Sequence, residues 1–145
     1  MLDGLLLLNA LATLAMVGVI WFVQVVHYPL FASVGRDRFT AYEQQHQART
    51  TLVVAPLMLA EAVSALLLVA YRPSPVSTLS VWLGLVLVVA MWLMTFFWQV
   101  PLHAQLSQAY DDRTHLRLVR SNWWRTGGWT LRGVLVLAMV AQTLA

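Results

Sequence analysis

The chain has 145 residues, 60% of them apolar and only 10% charged, at a mean hydropathy of +0.71. A soluble domain of this size carries about 25% charged residues, so the composition is that of a membrane protein and the length that of one domain, residues 1–145. The charge of +3 comes from nine arginines without a single lysine, and cysteine is absent. The arginines flank apolar segments, so topology accounts for them rather than nucleic acid, and thiolate ligands and disulfides are excluded.

Four apolar segments succeed one another. The first runs from about Leu2 to Ser33 and carries Asp3 where a signal peptide has basic residues, so it reads as a membrane helix. The polar stretch "GRDRFTAYEQQHQART" leads into the second, Thr51 to Ala70, which stops at "YRPSP". The third runs from about Leu79 to Leu102, and "HAQLSQAYDDRTHLRLVRSN" leads into the fourth, from Trp123 onward. Each core can cross about 30 Å of hydrocarbon at about 1.5 Å per residue. Neither polar stretch is broken by proline, and helical spacing runs through both into the next segment. Two long hairpins are therefore predicted, turning near Gly35 and near Asp111–Asp112. The fold class is an all-α, up-down-up-down four-helix bundle in the membrane.

Arginine sets an expected orientation. Arg36, Arg38, Arg49, Arg113, Arg117, Arg120 and Arg125 lie toward the hairpin ends, against Arg72 on the other face. By the positive-inside rule the hairpin ends face the cytoplasm of a bacterial inner membrane and the termini the periplasm. The lipid bilayer is the first partner; a homo-oligomer is left open.

One offset of 76 residues recurs: His27 to His103, His46 to Asn122, Arg49 to Arg125 and Thr50 to Thr126. Since His and Arg are scarce here, this reads as a duplicated hairpin, with halves of about 1–71 and 76–145. Counting from the turns puts His27, His46, His103 and Asn122 in one layer, roughly 12–16 Å from the hairpin tips. Gln24 and Gln99 lie about one turn from His27 and His103. Glu43, His46 and Thr50 share a face, as do Asn122, Arg125 and Trp129. Glu61 and Arg132 lie deeper on those faces.

This layer admits two readings. In one, His27, His46 and His103 ligate a transition metal (Zn, Cu or Fe), or two of them ligate haem iron, with Asn122 beside an open position. Arg49 and Arg125 then hold a carboxylate of a small-molecule substrate or of haem. In the other, the imidazoles only bond the helices together, with Gln24, Gln99 and Glu43 as partners, each bond contributing about 0.6 kcal/mol. Glu61 and Arg132 are expected to pair, or to relay protons or substrate, since a lone charge in hydrocarbon is costly. Glu43-x-x-His46 is half of a di-iron motif, but Val119 and Asn122 stand at the matching positions of the second half, so a full di-iron site is rejected.

The size, the four helices, the His-x-Pro of the first helix and the Arg-rich hairpin ends resemble small bacterial membrane oxidoreductases. The HemJ-type protoporphyrinogen oxidases and the anthrone-oxygenase-like membrane proteins are the families meant. The likeness is one of layout. His27 lies near the end of its helix and the chain has no lysine, so no functional residue carries over. The resemblance implies a redox or haem-related role. The alternative is a small transporter or a subunit of a membrane complex, whose polar layer is structural or conducts protons.

Overall fold

The computed structural model describes residues 2–144, with no strand among them. Four helices are long and apolar enough to cross a membrane: α1 (Gly4–Ser33), α2 (Arg36–Ala70), α3 (Thr78–Leu106) and α4 (Asp112–Leu144). Their connections are short, so consecutive helices run antiparallel. α1 packs on α2 and α4, and α3 packs on the same two. α1 and α3 are thus diagonal, as are α2 and α4.

Polarity is inverted relative to a soluble bundle. Leu11, Leu52, Leu79 and Phe97 are exposed, while Asn9, Glu61, Gln99, Asn122 and Arg132 are buried. A belt of exposed leucine, valine and phenylalanine this wide suits lipid better than water. The architecture fits a multi-pass membrane protein.

The buried faces trace a coiled-coil seam. On α4 the buried seam runs through His115, Leu118, Asn122, Arg125, Trp129, Arg132, Val136 and Met139, an alternation of three- and four-residue steps flanked by buried Thr114, Thr126 and Gly133. On α1 the same steps connect Leu6, Asn9, Thr13, Met16, Ile20 and Val23. There the register shifts. Residues Val23–His27 form a π turn, closed by Tyr28 N–H to the Val23 carbonyl, and α3 has its counterpart at Thr95–Gln99, closed by Val100 N–H to Thr95. Each π turn precedes a proline, Pro29 or Pro101, that has no N–H to give and whose ring would crowd the carbonyl four residues back. The wider turn relieves that conflict and adds one residue to the seam. Tyr28 and Gln99 therefore point inward, where unbroken α-helix would bury His27 and Trp98.

The prolines and π turns of α1 and α3 are 72 residues apart, whereas the starts of α2 and α4, Arg36 and Asp112, are 76 apart. The two hairpins thus differ by one helical turn in their first arms, and His27 corresponds to Gln99 by this measure. Arg36 and Asp112 themselves meet at 2.7 Å and tie the hairpin ends together. On the opposite face Arg72 donates to the carbonyls of Ser74 and Val76 and folds the α2–α3 connection over the bundle.

Asp111 caps α4: its Oδ2 accepts from the Thr114 N–H and hydroxyl, both at 2.8 Å. Those bonds hold its carboxyl below the usual range. A depressed folded-state pKa means that the cap is complete above the ordinary carboxylate range and is lost as pH falls through the lower, folded value. Asp111→Ala is expected to speed amide exchange in the first turn of α4 at neutral pH and to leave mid-helix amides unchanged. Wild type should show the same fraying only in acid.

Candidate functional site

Two polar clusters lie on the bundle axis, separated by an apolar layer of Met16, Ile20, Met58, Met91 and Trp129.

The deeper cluster is fully bonded. Arg132 Nε donates to Glu61 Oε1 at 2.7 Å, NH1 to the Gly84 carbonyl at 2.7 Å and NH2 to Asn9 Oδ1 at 3.1 Å. Glu61 also accepts from Thr13 at 2.9 Å and from the Trp129 indole at 3.0 Å. Asn9 donates onward to Ser64 Oγ and the Glu61 carbonyl. Every helix contributes, and the ion pair joins the diagonal helices α2 and α4. The expected Glu61–Arg132 pair is present, and its closure reads as a structural clasp. Gly84 is part of it: a Cβ there would stand 3.0 Å from Arg132 NH1. Since three bonds fix that guanidinium, Gly84→Ala is expected to cost about 1–3 kcal/mol, read as a lowered Tm in mild detergent.

The second cluster lies beside the π turns. His103 Nδ1 meets Glu43 Oε1 at 2.5 Å. A carboxylate can only accept here, so Nδ1 carries the hydrogen and Nε2 faces the Tyr28 hydroxyl at 2.8 Å. Gln47 donates to Glu43 Oε1 and to the His103 carbonyl, at 3.2 and 3.1 Å. His27 Nε2 contacts His46 Nδ1 at 2.8 Å, and Thr50 Oγ1 approaches the same nitrogen at 3.1 Å. One ligand atom each from Glu43, His46 and His103 can be taken so that all lie within 4.8 Å of one another, the geometry of a metal-binding group. Glu43 is fully buried and its Oε2 has no partner. A buried carboxylate oxygen left unbonded is costly and marks a place where a cation or a donor belongs.

The remaining residues expected at the layer are distributed differently. Gln24 accepts from Asn122 Nδ2 at 2.9 Å and donates to the Val119 carbonyl at 3.2 Å. Asn122 Oδ1 in turn accepts from Arg125 NH1 at 2.9 Å. Asn122 is thus a bridge, not a replaced fourth ligand. Arg125 is buried, with its guanidinium 5.1 Å over the Trp129 ring. Arg49 is exposed and touches neither cluster, because the α2 seam turns His46 inward and Arg49 out. Its expected pairing with Arg125 around a carboxylate does not occur. Gln99 donates to Ser121 Oγ at 2.9 Å, away from His103. His27 is half-buried in an aromatic surround of Phe22, Phe31 and Tyr42, and reaches the cluster only through His46.

Haem finds no seat between these imidazoles. His27 and His46 touch directly, and His46 and His103 have ring centroids 5.3 Å apart with a 34° interplanar angle. Axial ligation needs rings on opposite faces of a porphyrin, with a slot between them.

Four contributors were not anticipated from sequence. Tyr28 enters through the π turn. Asn9 and Thr13 sit on the α1 seam at the three- and four-residue steps that signal it. The fourth histidine, His115, donates from Nε2 to the Tyr28 carbonyl at 2.8 Å, leaving Nδ1 to accept from Tyr110 at 3.2 Å. It locks the backbone that carries Tyr28.

Comparison with family models, with curated proteins and with solved structures finds no match to this chain. The likeness in layout to the small membrane oxidoreductases therefore has no relative behind it. Fold and site together define a class: a helical bundle with membrane-length helices and a buried Glu/His cluster able to take a metal ion.

Proposed function

We propose that this is a multi-pass membrane protein that binds one transition-metal ion at Glu43, His46 and His103, and that the ion serves a redox or Lewis-acid reaction. The observation that carries this reading is the unpartnered, fully buried Glu43 Oε2 beside two imidazoles. Mixed imidazole and carboxylate donors suit Zn, Cu or Fe, and three protein ligands leave a position for substrate. Glu43 is also placed to orient His103 through Nδ1, as carboxylates do behind metal-bound histidines. The hairpin ends, rich in arginine, are assigned to the cytoplasm and both termini to the periplasm of a bacterial inner membrane.

A second reading has its own support: His27–His46 and Tyr28–His103–Glu43–Gln47 already form two hydrogen-bonded chains side by side. A transporter or complex subunit would use such a layer to bind helices or pass protons. Metal analysis and titration of the detergent-purified protein separate the two. The metal reading expects about one ion per chain, with affinity rising with pH as imidazoles lose competing protons. A protein that retains none, and binds neither Zn nor Cu when supplied, leaves only the structural layer.

A further inference from the structure

Beside the Glu/His cluster lies a cavity of about 270 Å3. His46 and His103 form part of its polar end, with Tyr28, Gln99 and Arg125. Met16, Ile20, Val54, Met58 and Phe96 line the apolar remainder. Thr51, Phe96 and Val100 stand at its edge and are exposed, between α2 and α3. Leu52, Val53 and Phe97, exposed beside it, make this mouth part of the apolar belt rather than of a helix end.

Three lining residues carry buried polar atoms with no partner: Arg125 Nε, Trp92 Nε1 and Gln99 Oε1. Gln99 and Arg125 are 2% and 5% exposed. The orientation of the Gln99 amide is set by its neighbour. Ser121 spends its one hydroxyl hydrogen on the Leu118 carbonyl, so it can only accept from Gln99 Nε2, and Oε1 is left as an acceptor. Arg125 is a second anomaly. Among the described residues no carboxylate lies within ion-pair distance of it, unlike Arg132. A buried cation held by an amide oxygen, an indole face and the neighbouring Tyr28 hydroxyl, all neutral, lacks a counter-charge.

The residues lining the cavity thus carry two unused donors, one of them on a cation, and one unused acceptor, at the end of an apolar slot. We infer that it binds a membrane-soluble amphiphile whose head carries an anionic oxygen and a neighbouring hydroxyl, the chemistry of a hydroxy acid on an alkyl chain. The anionic oxygen accepts from Arg125 Nε and Trp92 Nε1. The hydroxyl donates to Gln99 Oε1. The chain lies along Met16, Ile20 and Met58 and leaves past Phe96. This binding needs no metal. That the ligand is the substrate of the proposed reaction rests on the metal reading, because His46 and His103 serve both places.

The test uses the full-length chain, stripped of metal by chelation and reconstituted in nanodiscs of zwitterionic lipid. Calorimetric titration compares α-hydroxydodecanoate with its methyl ester and with dodecanoate, with empty discs as reference. A charge-assisted hydrogen bond in a buried site is worth about ten- to a hundredfold in affinity, so the acid should bind tighter than the ester by about that factor. Dodecanoate, lacking the hydroxyl, should fall between. Arg125→Gln should erase the preference for acid over ester, and Trp92→Phe, which keeps an aromatic ring and removes the indole N–H, should weaken the acid several-fold. Absence of saturable binding above empty discs, equal affinity of acid and ester in wild type, or a preference unchanged in both variants overturns the assignment. Should Arg125→Gln fail to fold, Trp92→Phe decides alone, and unchanged affinity overturns it. Because these titrations use stripped protein, they stand or fall separately from the metal titration.

Discussion

Replacing Glu61 by leucine should destabilise the bundle by about 3–5 kcal/mol. The pair it breaks is 1% exposed on both sides, so Arg132 would be left as a charge in a low-dielectric interior with Gly84 and Asn9 as neutral partners. The Trp129 and Thr13 donors would be orphaned with it. The double variant Glu61→Leu/Arg132→Met removes both charges together. It should recover at least half of the loss, because two apolar side chains in a membrane bundle carry no desolvation cost, while the orphaned neutral groups remain. Reversible unfolding in mixed micelles measures both. A single variant as stable as wild type, or a double variant no better than the single, would show that the pair is not the clasp described.

This pair was legible because a carboxylate and a guanidinium in membrane helices must find partners, and helical spacing put both on inner faces. Its full extent was not. Asn9 and Thr13 lie in a stretch so apolar that two small polar residues pass as ordinary sequence, although their places on the α1 seam are regular. The fold class was legible for a similar reason: four apolar runs, each long enough to span hydrocarbon, admit few arrangements when the turns between them are short.

The Glu/His cluster was legible in part, and the π turns explain the rest. The 76-residue offset makes His27 and His103 equivalents, which is the reading behind a three-imidazole site. One extra residue in each π turn rotates the residues beyond it by about 100° of helix. In α1 it brings in Tyr28 and leaves His27 at the rim; in α3 it buries Gln99 in place of Trp98. Pro29 and Pro101 are visible signals for this, since proline inside a helix forces a local adjustment, but whether the chain kinks, breaks or widens into a π turn depends on packing from other helices. Arg49 was misplaced on a different ground. Its likeness to Arg125 lies in the sequence offset, whereas burial is set by the seam of α2, which passes from His46 to Thr50 and leaves Arg49 outside.

The arrangement makes a graded expectation for metal binding. His46, His103 and Glu43 stand to ligate directly, so His46→Ala, His103→Ala and Glu43→Leu should each weaken Zn or Cu binding by more than the about 10–100-fold typical of losing an outer partner. His27→Ala should fall within that smaller range. Its hydrogen bond goes to His46 Nδ1, at 2.8 Å, and so fixes which nitrogen His46 presents without holding an ion itself. Glu43→Gln separates the two roles of the carboxylate. The amide can still accept from His103 Nδ1 but brings no charge to the ion, so its loss should lie between those of His27→Ala and Glu43→Leu. Competition titrations with a chelator of known affinity read all five variants on one scale. Thermal melts of the metal-free proteins run beside them, because a purely structural layer would show its losses there instead. If His27→Ala costs more affinity than His103→Ala, or if the five variants lose stability in the same order and affinity in none, the cluster is a brace between helices and not a metal centre.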